Sequence, residues 1–140
     1  MSQTLYTETA TAWGGRDGRV ASADGKIDLQ LSMPKAVGGD DGPGTNPEEL
    51  FATGYAACFH SALKLVAGQR RVDVSESAVS VTVGLVSDES GFGISARIEA
   101  EIPGVDAETG RQLVEAAHQA CPYSKATRGN IPSEAVLVES

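Results

Sequence analysis

Two cysteines, Cys58 and Cys121, are the residues with the clearest chemical potential in this chain of 140 residues. A thiolate is a nucleophile and a metal ligand, and two neighbouring thiols can cycle between dithiol and disulfide. Cys58 lies in an apolar segment, residues 50–67, whereas Cys121 opens the run CPYSKATRGN. Because apolar surroundings raise the pKa of a thiol, a reactive Cys58 needs a nearby cation. The candidate cations are Arg16, Arg19, Lys64 and Arg128.

Other motifs in the chain do not support a cofactor or metal site. The run GFGISA at residues 91–96 matches a loose dinucleotide fingerprint, but it opens a strand pattern where that fingerprint requires a helix. The glycine-rich loop at residues 38–44 lacks the lysine of a phosphate-binding loop and carries two aspartates. His60 points away from Cys58 on a helix, and His118 with Cys121 would supply only two ligands. We therefore expect no bound metal and treat both histidines as bystanders.

The charge and the cysteine count limit the classes of partner and compartment. The 11 basic and 19 acidic residues give a net charge of −8, which disfavours nucleic acids and anionic membrane surfaces. Two cysteines are too few for a disulfide-rich secreted scaffold. No signal-peptide pattern opens the chain, and its longest unbroken apolar run, residues 55–59, is far short of the ~20 residues of a membrane span. We expect a cytoplasmic protein with reduced thiols.

The first half of the chain predicts strands followed by a buried helix. Residues 5–12 alternate as a strand does, GGRDG at residues 14–18 forms a loop, and residues 20–23 and 27–33 form a hairpin around Asp24-Gly25. The buried face of that hairpin is predicted to hold Ile27, Leu29 and Leu31. Asn46 is a favourable N-cap before Pro47. The helix that follows is apolar almost all round, which predicts burial on every face.

The second half predicts a long hairpin, a helix and a final strand. Residues 78–87 and 92–102 alternate strictly on either side of a short turn, which indicates paired antiparallel strands. Asp106 caps a second helix that Pro122 stops, and residues 135–138 form a last strand. This order predicts a single α+β domain over residues 1–140. The core face of the second helix is predicted to comprise Leu113, Val114, Ala117, Ala120 and Cys121.

Three long motifs, in order, resemble the organic hydroperoxide resistance branch of the OsmC-like superfamily. They are GGRDG, GTNPEELFATGYAACFHSAL around Cys58, and AHQACPYSKATRGN around Cys121. The resemblance covers nearly the whole chain, residues 5–138. It implies the OsmC-like fold, an α+β arrangement of antiparallel sheets wrapped around central helices in an intertwined homodimer.

The resemblance also implies a thiol-dependent peroxidase that reduces organic hydroperoxides, including those of fatty acids, to alcohols. Cys58 would be the attacking cysteine, which becomes a sulfenic acid, and Cys121 would resolve it as a disulfide. Arg16 would stabilise the Cys58 thiolate and hold the peroxide, and Glu48 would orient Arg16. No cofactor would be bound, and dihydrolipoyl groups (dihydrolipoamide or a lipoylated protein) would be the reductant.

Alternatives to this function remain open from the residues themselves. A non-enzymatic acyl- or lipid-binding module could use the same apolar pocket, and a thiol redox sensor could use the same cysteines. Peroxidase chemistry could also use thioredoxin or glutathione as its reductant. Four aromatic residues near the cysteines could bind an alkyl chain or could be ordinary core: Phe51, Tyr55, Phe59 and Tyr123.

The two roles implied for the central helix conflict with its length. Glu48 and Cys58 are ten residues apart, which is ~15 Å along an unbroken helix and too far for one guanidinium to bridge. The helix breaks, or the partners come from different subunits, or one assignment is wrong. We predict a break at Thr53-Gly54, the weakest point by helix propensity, with a new helix starting near Tyr55 whose dipole favours a thiolate at Cys58.

Overall fold

The computed structural model describes residues 2–139, and its elements follow the predicted order of strands, helix, strands, helix and strand, with one further short helix before the last strand. The chain divides into two compact units, and the boundary between them falls within the first α-helix, after Leu50. The predicted α+β class is confirmed. The single domain and the homodimer stay predictions.

The first unit contains a three-stranded antiparallel sheet in the order β1-β2-β3. Its strands are β1 (Ala10–Trp13), β2 (Arg19–Ser22) and β3 (Asp28–Gln30). The predicted hairpin is confirmed, with Val20 paired to Leu29. The strand predicted over residues 5–12 begins later, at Ala10. The Thr9 carbonyl still accepts a hydrogen bond from the Ala23 N–H at 2.8 Å, but residues 2–9 form no strand.

Most of the hairpin face that was predicted to be buried is exposed in the first unit. Leu31 is buried and is bridged to Thr45, but Ile27 and Leu29 remain 45% and 41% exposed. Period-two alternation shows which side chains share a face, and it does not show that an element of the same unit covers that face.

The first helix, α1 (Pro47–Gln69), begins as predicted and then continues for 23 residues without interruption. The Asn46 Oδ1 accepts a hydrogen bond from the backbone N–H of Glu49 at 2.8 Å. The predicted break at Thr53-Gly54 is wrong, because both residues are helical.

The prediction that α1 is buried on every face is also wrong for the isolated chain. One stripe is buried, while Leu65 is 58% exposed. By length and composition alone α1 could cross a membrane, a criterion that core helices of soluble proteins also meet. The buried stripe has the i, i+4, i+7 spacing of a core-facing helix and comprises Tyr55, Phe59, Ala62, Leu63, Val66 and Ala67.

The second unit contains a sheet in the order β4-β5-β6. Strands β4 (Ala78–Asp88) and β5 (Gly91–Glu101) form the predicted antiparallel hairpin. The last strand, β6 (Ser133–Leu137), pairs with β5 in parallel, so this sheet is mixed, whereas the resemblance implied antiparallel sheets. A parallel return is available because two helices cross over between β5 and β6.

Two helices connect β5 to β6 and complete the core of this unit. Helix α2 (Ala107–Ala120) is capped by Asp106, whose side chain accepts from the Thr109 N–H at 3.0 Å. Its buried residues include Leu113, Val114 and Ala117, as predicted, but Ala120 is exposed because α2 ends there and the chain turns away. Helix α3 (Pro122–Thr127), which was not predicted, starts immediately after Cys121.

Candidate active site

The two cysteines lie side by side as free thiols in the second unit. Helix α1 carries Cys58, and Cys121 is both the C-cap of α2 and the N-cap of α3. The Cys121 thiol donates to the Cys58 Sγ across 3.7 Å, roughly 1.7 Å more than the ~2.05 Å of an S–S bond. Cys58 is half-buried, whereas Cys121 is fully buried. A reagent from solvent therefore meets Cys58 first, and Cys121 is within a small displacement of it.

The surroundings of Cys58 within this unit do not by themselves favour a thiolate. Burial raises the pKa of the Cys58 thiol, and the neighbouring Cys121 raises it further. A hydrogen bond from the backbone N–H of Tyr123 acts in the opposite direction but does not outweigh burial. A reactive Cys58 therefore still needs a cation, as the sequence predicted.

A buried hydroxyl chain anchors α3 beside Cys121. The Ser124 Oγ lies 2.8 Å from the Tyr55 hydroxyl and 2.8 Å from Nδ1 of His118. The Tyr55 hydroxyl is also 3.1 Å from the Thr127 Oγ1. The backbone N–H of Ser124 donates to the Cys121 Sγ at 3.5 Å. One serine thus links α1 and α2 to the turn that carries the buried thiol.

The aromatic residues predicted near the cysteines form a cluster that is only partly accessible. Tyr55 and Phe59 are fully buried core residues, which agrees with the packing alternative for these two. Phe51 is half-buried, and Tyr123 is 39% exposed. The rings of Phe51 and Tyr123 stack with centroids 6.0 Å apart. Of the four aromatic residues, Phe51 and Tyr123 are the two with accessible surface, and their role in binding a substrate stays a prediction.

Gly54 has a packing role in place of the predicted break. A Cβ at this position would lie 3.2 Å from the Tyr123 hydroxyl, so the missing side chain gives the Tyr123 ring room against α1. The glycine is thus accounted for by a close approach from α3, and the helix hydrogen bonds continue through it.

The first unit brings Arg16 and Glu48 together in a two-pronged ion pair. The Arg16 Nη1 and Nη2 donate to the two Glu48 carboxylate oxygens at 2.7 and 3.0 Å. These hydrogen bonds raise the pKa of Arg16 and lower the pKa of Glu48. Fork-to-fork geometry of this kind fixes the plane of the guanidinium. The pairing predicted from the resemblance is therefore present, and Glu48 can orient Arg16.

The loop of GGRDG is built to present Arg16. It connects β1 to β2, which pair at Trp13 and Arg19, and Arg16 lies at the centre of its 3-10 turn, Gly15–Asp17. A Cβ on Gly18 would lie 1.6 Å from the Trp13 carbonyl oxygen, so only glycine closes this loop.

The other candidate cations have different partners or lie in solvent. Arg19 forms an exposed two-pronged pair with Asp28 and stacks over Trp13, its guanidinium carbon 5.1 Å from the ring centroid. Arg128 donates to the His118 carbonyl at 3.0 Å, where it caps the end of α2. Lys64 is exposed. Among these candidates, Arg16 is thus the one whose guanidinium is held by a half-buried carboxylate, that of Glu48.

The described residues, 2–139, contain no group of three or more His, Cys, Asp and Glu side chains that could hold a metal ion. His60 is occupied with the Ser77 hydroxyl, 2.9 Å away. His118, by contrast, belongs to the hydroxyl chain, and burial followed by the charge of Arg128 lowers its pKa.

Sequence reasoning missed Ser124 and Thr127, and it set His118 aside. The partners of Ser124 are 69 and 6 residues away, so no local pattern joins them. The available signal was the pair of hydroxyl residues three apart in the run after Pro122, where one face of a short helix is polar.

Comparison with known proteins gives consistent matches over most of the chain. The OsmC-like protein family profile matches residues 38–135. The chain is 50% identical over 128 residues to the organic hydroperoxide resistance protein of Xanthomonas axonopodis pv. citri, covering 91% of this chain and 90% of that protein. It is 47% identical to organic hydroperoxide resistance protein OhrA of Bacillus subtilis, covering 94% of each. The crystal structure of an organic hydroperoxide resistance protein from Elizabethkingia anophelis superposes with a TM-score of 0.93 at 45% identity, covering 99% of this chain and 100% of that one.

Proposed function

The chain belongs to the OsmC-like family, in its organic hydroperoxide resistance branch, and we propose that it is a cysteine peroxidase that reduces organic hydroperoxides. The observation that carries this proposal is the cysteine pair. One thiol is half-buried, the other is fully buried, and their sulfurs are 3.7 Å apart. This asymmetry suits an attacking thiol that meets the peroxide and a resolving thiol that waits behind it.

The reaction has two chemical steps and a reset. The Cys58 thiolate attacks the terminal oxygen of the hydroperoxide, the O–O bond breaks, and the departing alkoxide takes a proton to become an alcohol. Cys58 is then a sulfenic acid. The Cys121 sulfur attacks it, the S–O bond breaks, and the hydroxyl leaves as water with the thiol proton. An external dithiol reduces the Cys58–Cys121 disulfide by thiol–disulfide exchange.

Arg16 is the cation that this chemistry requires. Burial raises the pKa of Cys58, and a guanidinium beside the sulfur would lower it again and hold the peroxide oxygens. Two of the Arg16 nitrogens donate to Glu48, and an arginine has five N–H donors in all. The Arg16 Nε and the outer hydrogens thus remain for sulfur and substrate.

A homodimer reconciles these roles with the uninterrupted helix. Since α1 has no break, Glu48 and Cys58 of one chain remain ~15 Å apart along it. We propose that the Arg16–Glu48 pair of one subunit serves the Cys58 of the other. Apolar side chains left exposed on α1 and β3, Leu65 and Leu29 among them, favour association.

Mass spectrometry and thiol counting test the peroxidase. The reduced protein, treated with one equivalent of an alkyl hydroperoxide, should lose two hydrogens and both free thiols. Cys58→Ser should abolish the reaction, whereas Cys121→Ser should stop at a sulfenic acid that a dimedone adduct reports. Intact thiols in the wild-type protein after stoichiometric peroxide would refute the proposal and leave the acyl-binding alternative.

Two arginine variants test which cation acts. Arg16→Ala should slow the oxidation of Cys58 by at least ~100-fold, the order of loss when a catalytic charge-stabilising donor is removed. Arg19→Ala is the matched control, because Arg19 also forms a two-pronged ion pair with a carboxylate of the first unit, that of Asp28. Equal rates for the two variants would move the role away from Arg16.

Mixed dimers test the sharing between subunits. Arg16→Ala and Cys58→Ser homodimers should both be inactive. After the two proteins exchange subunits at equal concentration, about half of the dimers are mixed and each has one complete site, so about a quarter of wild-type activity should return. No recovery, with exchange verified by mass, would show that each site is built from one chain or that an assignment is wrong.

The reductant, the substrate surface and the compartment are further parts of the proposal. We propose dihydrolipoyl groups as the reductant, Phe51 and Tyr123 as the apolar surface for the alkyl chain, and a cytoplasmic location. Turnover with dihydrolipoamide should exceed turnover with thioredoxin or glutathione. Similar turnover with all three would leave the peroxidase intact and remove the lipoyl preference.

A further inference from the structure

We infer that Ser124 is a positioning residue for the disulfide-forming step, through the hydroxyl chain that joins Tyr55, Ser124 and His118. The inference rests on the proposed peroxidase and assigns a task to residues outside its reacting groups. Ser124 itself touches neither substrate nor the attacking sulfur, and its hydroxyl acts through the turn that carries Cys121.

The hydroxyl of Ser124 ties three elements together at one point. It lies 2.8 Å from Tyr55 on α1, the helix that also carries Cys58, and 2.8 Å from His118 in the last turn of α2. Ser124 is fully buried, as is Tyr55. Within residues 2–139 no buried side-chain nitrogen or oxygen lacks a hydrogen-bond partner, so every buried polar side-chain atom of this hydroxyl chain has its partner.

The backbone of the same serine holds the resolving sulfur. The Ser124 N–H donates to the Cys121 Sγ at 3.5 Å, while the preceding residue, Tyr123, directs its N–H to Cys58. The first turn of α3 thus contacts both sulfurs. Because α3 has only six residues in all, the placement of its first turn depends on tertiary hydrogen bonds more than on helix stability.

Disulfide formation is the step that this placement governs. The sulfenic acid sulfur of Cys58 must be approached along the S–O axis by the sulfur of Cys121, which breaks the S–O bond and releases water. The sulfurs start 3.7 Å apart, and a misplacement of about 1 Å costs on the order of 100-fold in such reactions. Of the two cysteines, only Cys58 takes part in the attack on peroxide, and that step does not need Cys121 in place.

Ser124→Ala separates the two steps. In rapid-quench experiments the rate at which Cys58 is oxidised should stay within about twofold, measured in a Cys121→Ser background. With both cysteines present, the rate of disulfide formation should fall about tenfold or more, which is ~1.4 kcal/mol. The slower resolution should also raise the yield of Cys58 sulfinic acid when peroxide is in excess.

Ser77→Ala is the matched control. Ser77 is also a serine bonded to a histidine of the second unit, with its hydroxyl 2.9 Å from His60 and 2.6 Å from the Val74 carbonyl. Its removal should lower stability without changing the ratio of the two rates. An equal change of that ratio in Ser77→Ala and Ser124→Ala would overturn the inference, since general loosening would then explain it.

Two further measurements keep the outcomes separate. Tyr55→Phe removes the same hydrogen bond from the other side and should slow disulfide formation in the same direction, even where Ser124→Ala does not fold. Diamide forms the disulfide without peroxide, and with it both variants should again form the disulfide more slowly than wild type. If the diamide rate is unchanged in both Ser124→Ala and Tyr55→Phe, the inference about Ser124 fails and the proposed function stands. If the wild-type protein does not react with peroxide but the variants are still slower than wild type with diamide, the proposed function fails and the inference stands.

Discussion

Replacing Gly54 by alanine tests the account of α1 as an uninterrupted helix against Tyr123. Glycine in a helix interior is less favourable than alanine by ~1 kcal/mol. The added Cβ would lie 3.2 Å from the Tyr123 hydroxyl, but 3.5 and 3.7 Å from the ring carbons Cε2 and Cζ. Only the hydroxyl contact is tighter than ordinary van der Waals distance.

The expected magnitude follows from these two opposing effects. Tyr123 is 39% exposed, so its hydroxyl can shift by a few tenths of an ångström at a cost of roughly 0.5 kcal/mol, below that of overpacking a rigid core. Gly54→Ala should therefore raise the free energy of unfolding by about 0.5 kcal/mol in the wild-type background. In a Tyr123→Phe background, which lacks the hydroxyl, the gain should reach ~1 kcal/mol.

Urea denaturation of the four proteins, at one protein concentration, gives this coupling as a double-mutant cycle. Circular dichroism should show undiminished helix in each. If Gly54→Ala destabilises by a similar amount in both backgrounds, the glycine serves something other than the Tyr123 ring, and the reasoning fails. A loss of helix signal would restore the idea of a break at this point.

Two other predictions concern the N-terminal end of α1. Asn46→Ala should lower the free energy of unfolding by ~1 kcal/mol, because the Glu49 N–H loses its acceptor, and Asn46→Asp should recover most of that loss in the same denaturation assay. Since Arg16 lowers the pKa of Glu48, the charged pair contributes stability above the unfolded pKa of ~4.3 and loses it as pH falls through the lower folded value. The stability difference between wild type and Glu48→Gln should thus be constant above pH ~5 and shrink below it; a difference that grows on acidification contradicts the pairing.

The parts of the fold that the sequence predicts well are those set by neighbouring residues. Asn46 and Asp106 cap helices through N–H groups three residues away, and strict alternation fixes the β4–β5 hairpin. These interactions join residues that are a few positions apart or that face each other across one short turn. The local sequence therefore contains everything that determines these caps and this hairpin. The pairing of Arg16 with Glu48 lies 32 residues apart, and only the family resemblance supplied it.

The failures share a physical origin in contacts from distant segments. Helix propensity marks Gly54 as a weak point because it counts only the glycine's own backbone, while the Tyr123 ring that fits over Gly54 comes from α3. Alternation predicts that Leu29 shares a face with Leu31, but it does not show whether any element covers that face, and Leu29 is exposed. Ser124 bonds to a tyrosine 69 residues away, a relation that exists only after α1 and α3 have packed.

The unequal exposure of the two sulfurs has a consequence for electron donors. Once the pair is oxidised, an incoming thiol meets the sulfur of Cys58, because Cys121 is covered by the core. Exchange there expels Cys121, which stays next to the new mixed disulfide and can expel the donor in turn. A donor with one thiol is therefore readily sent back. A donor whose second thiol is tethered to the first would complete the exchange before that return, so we expect dithiol donors to support turnover better than monothiols.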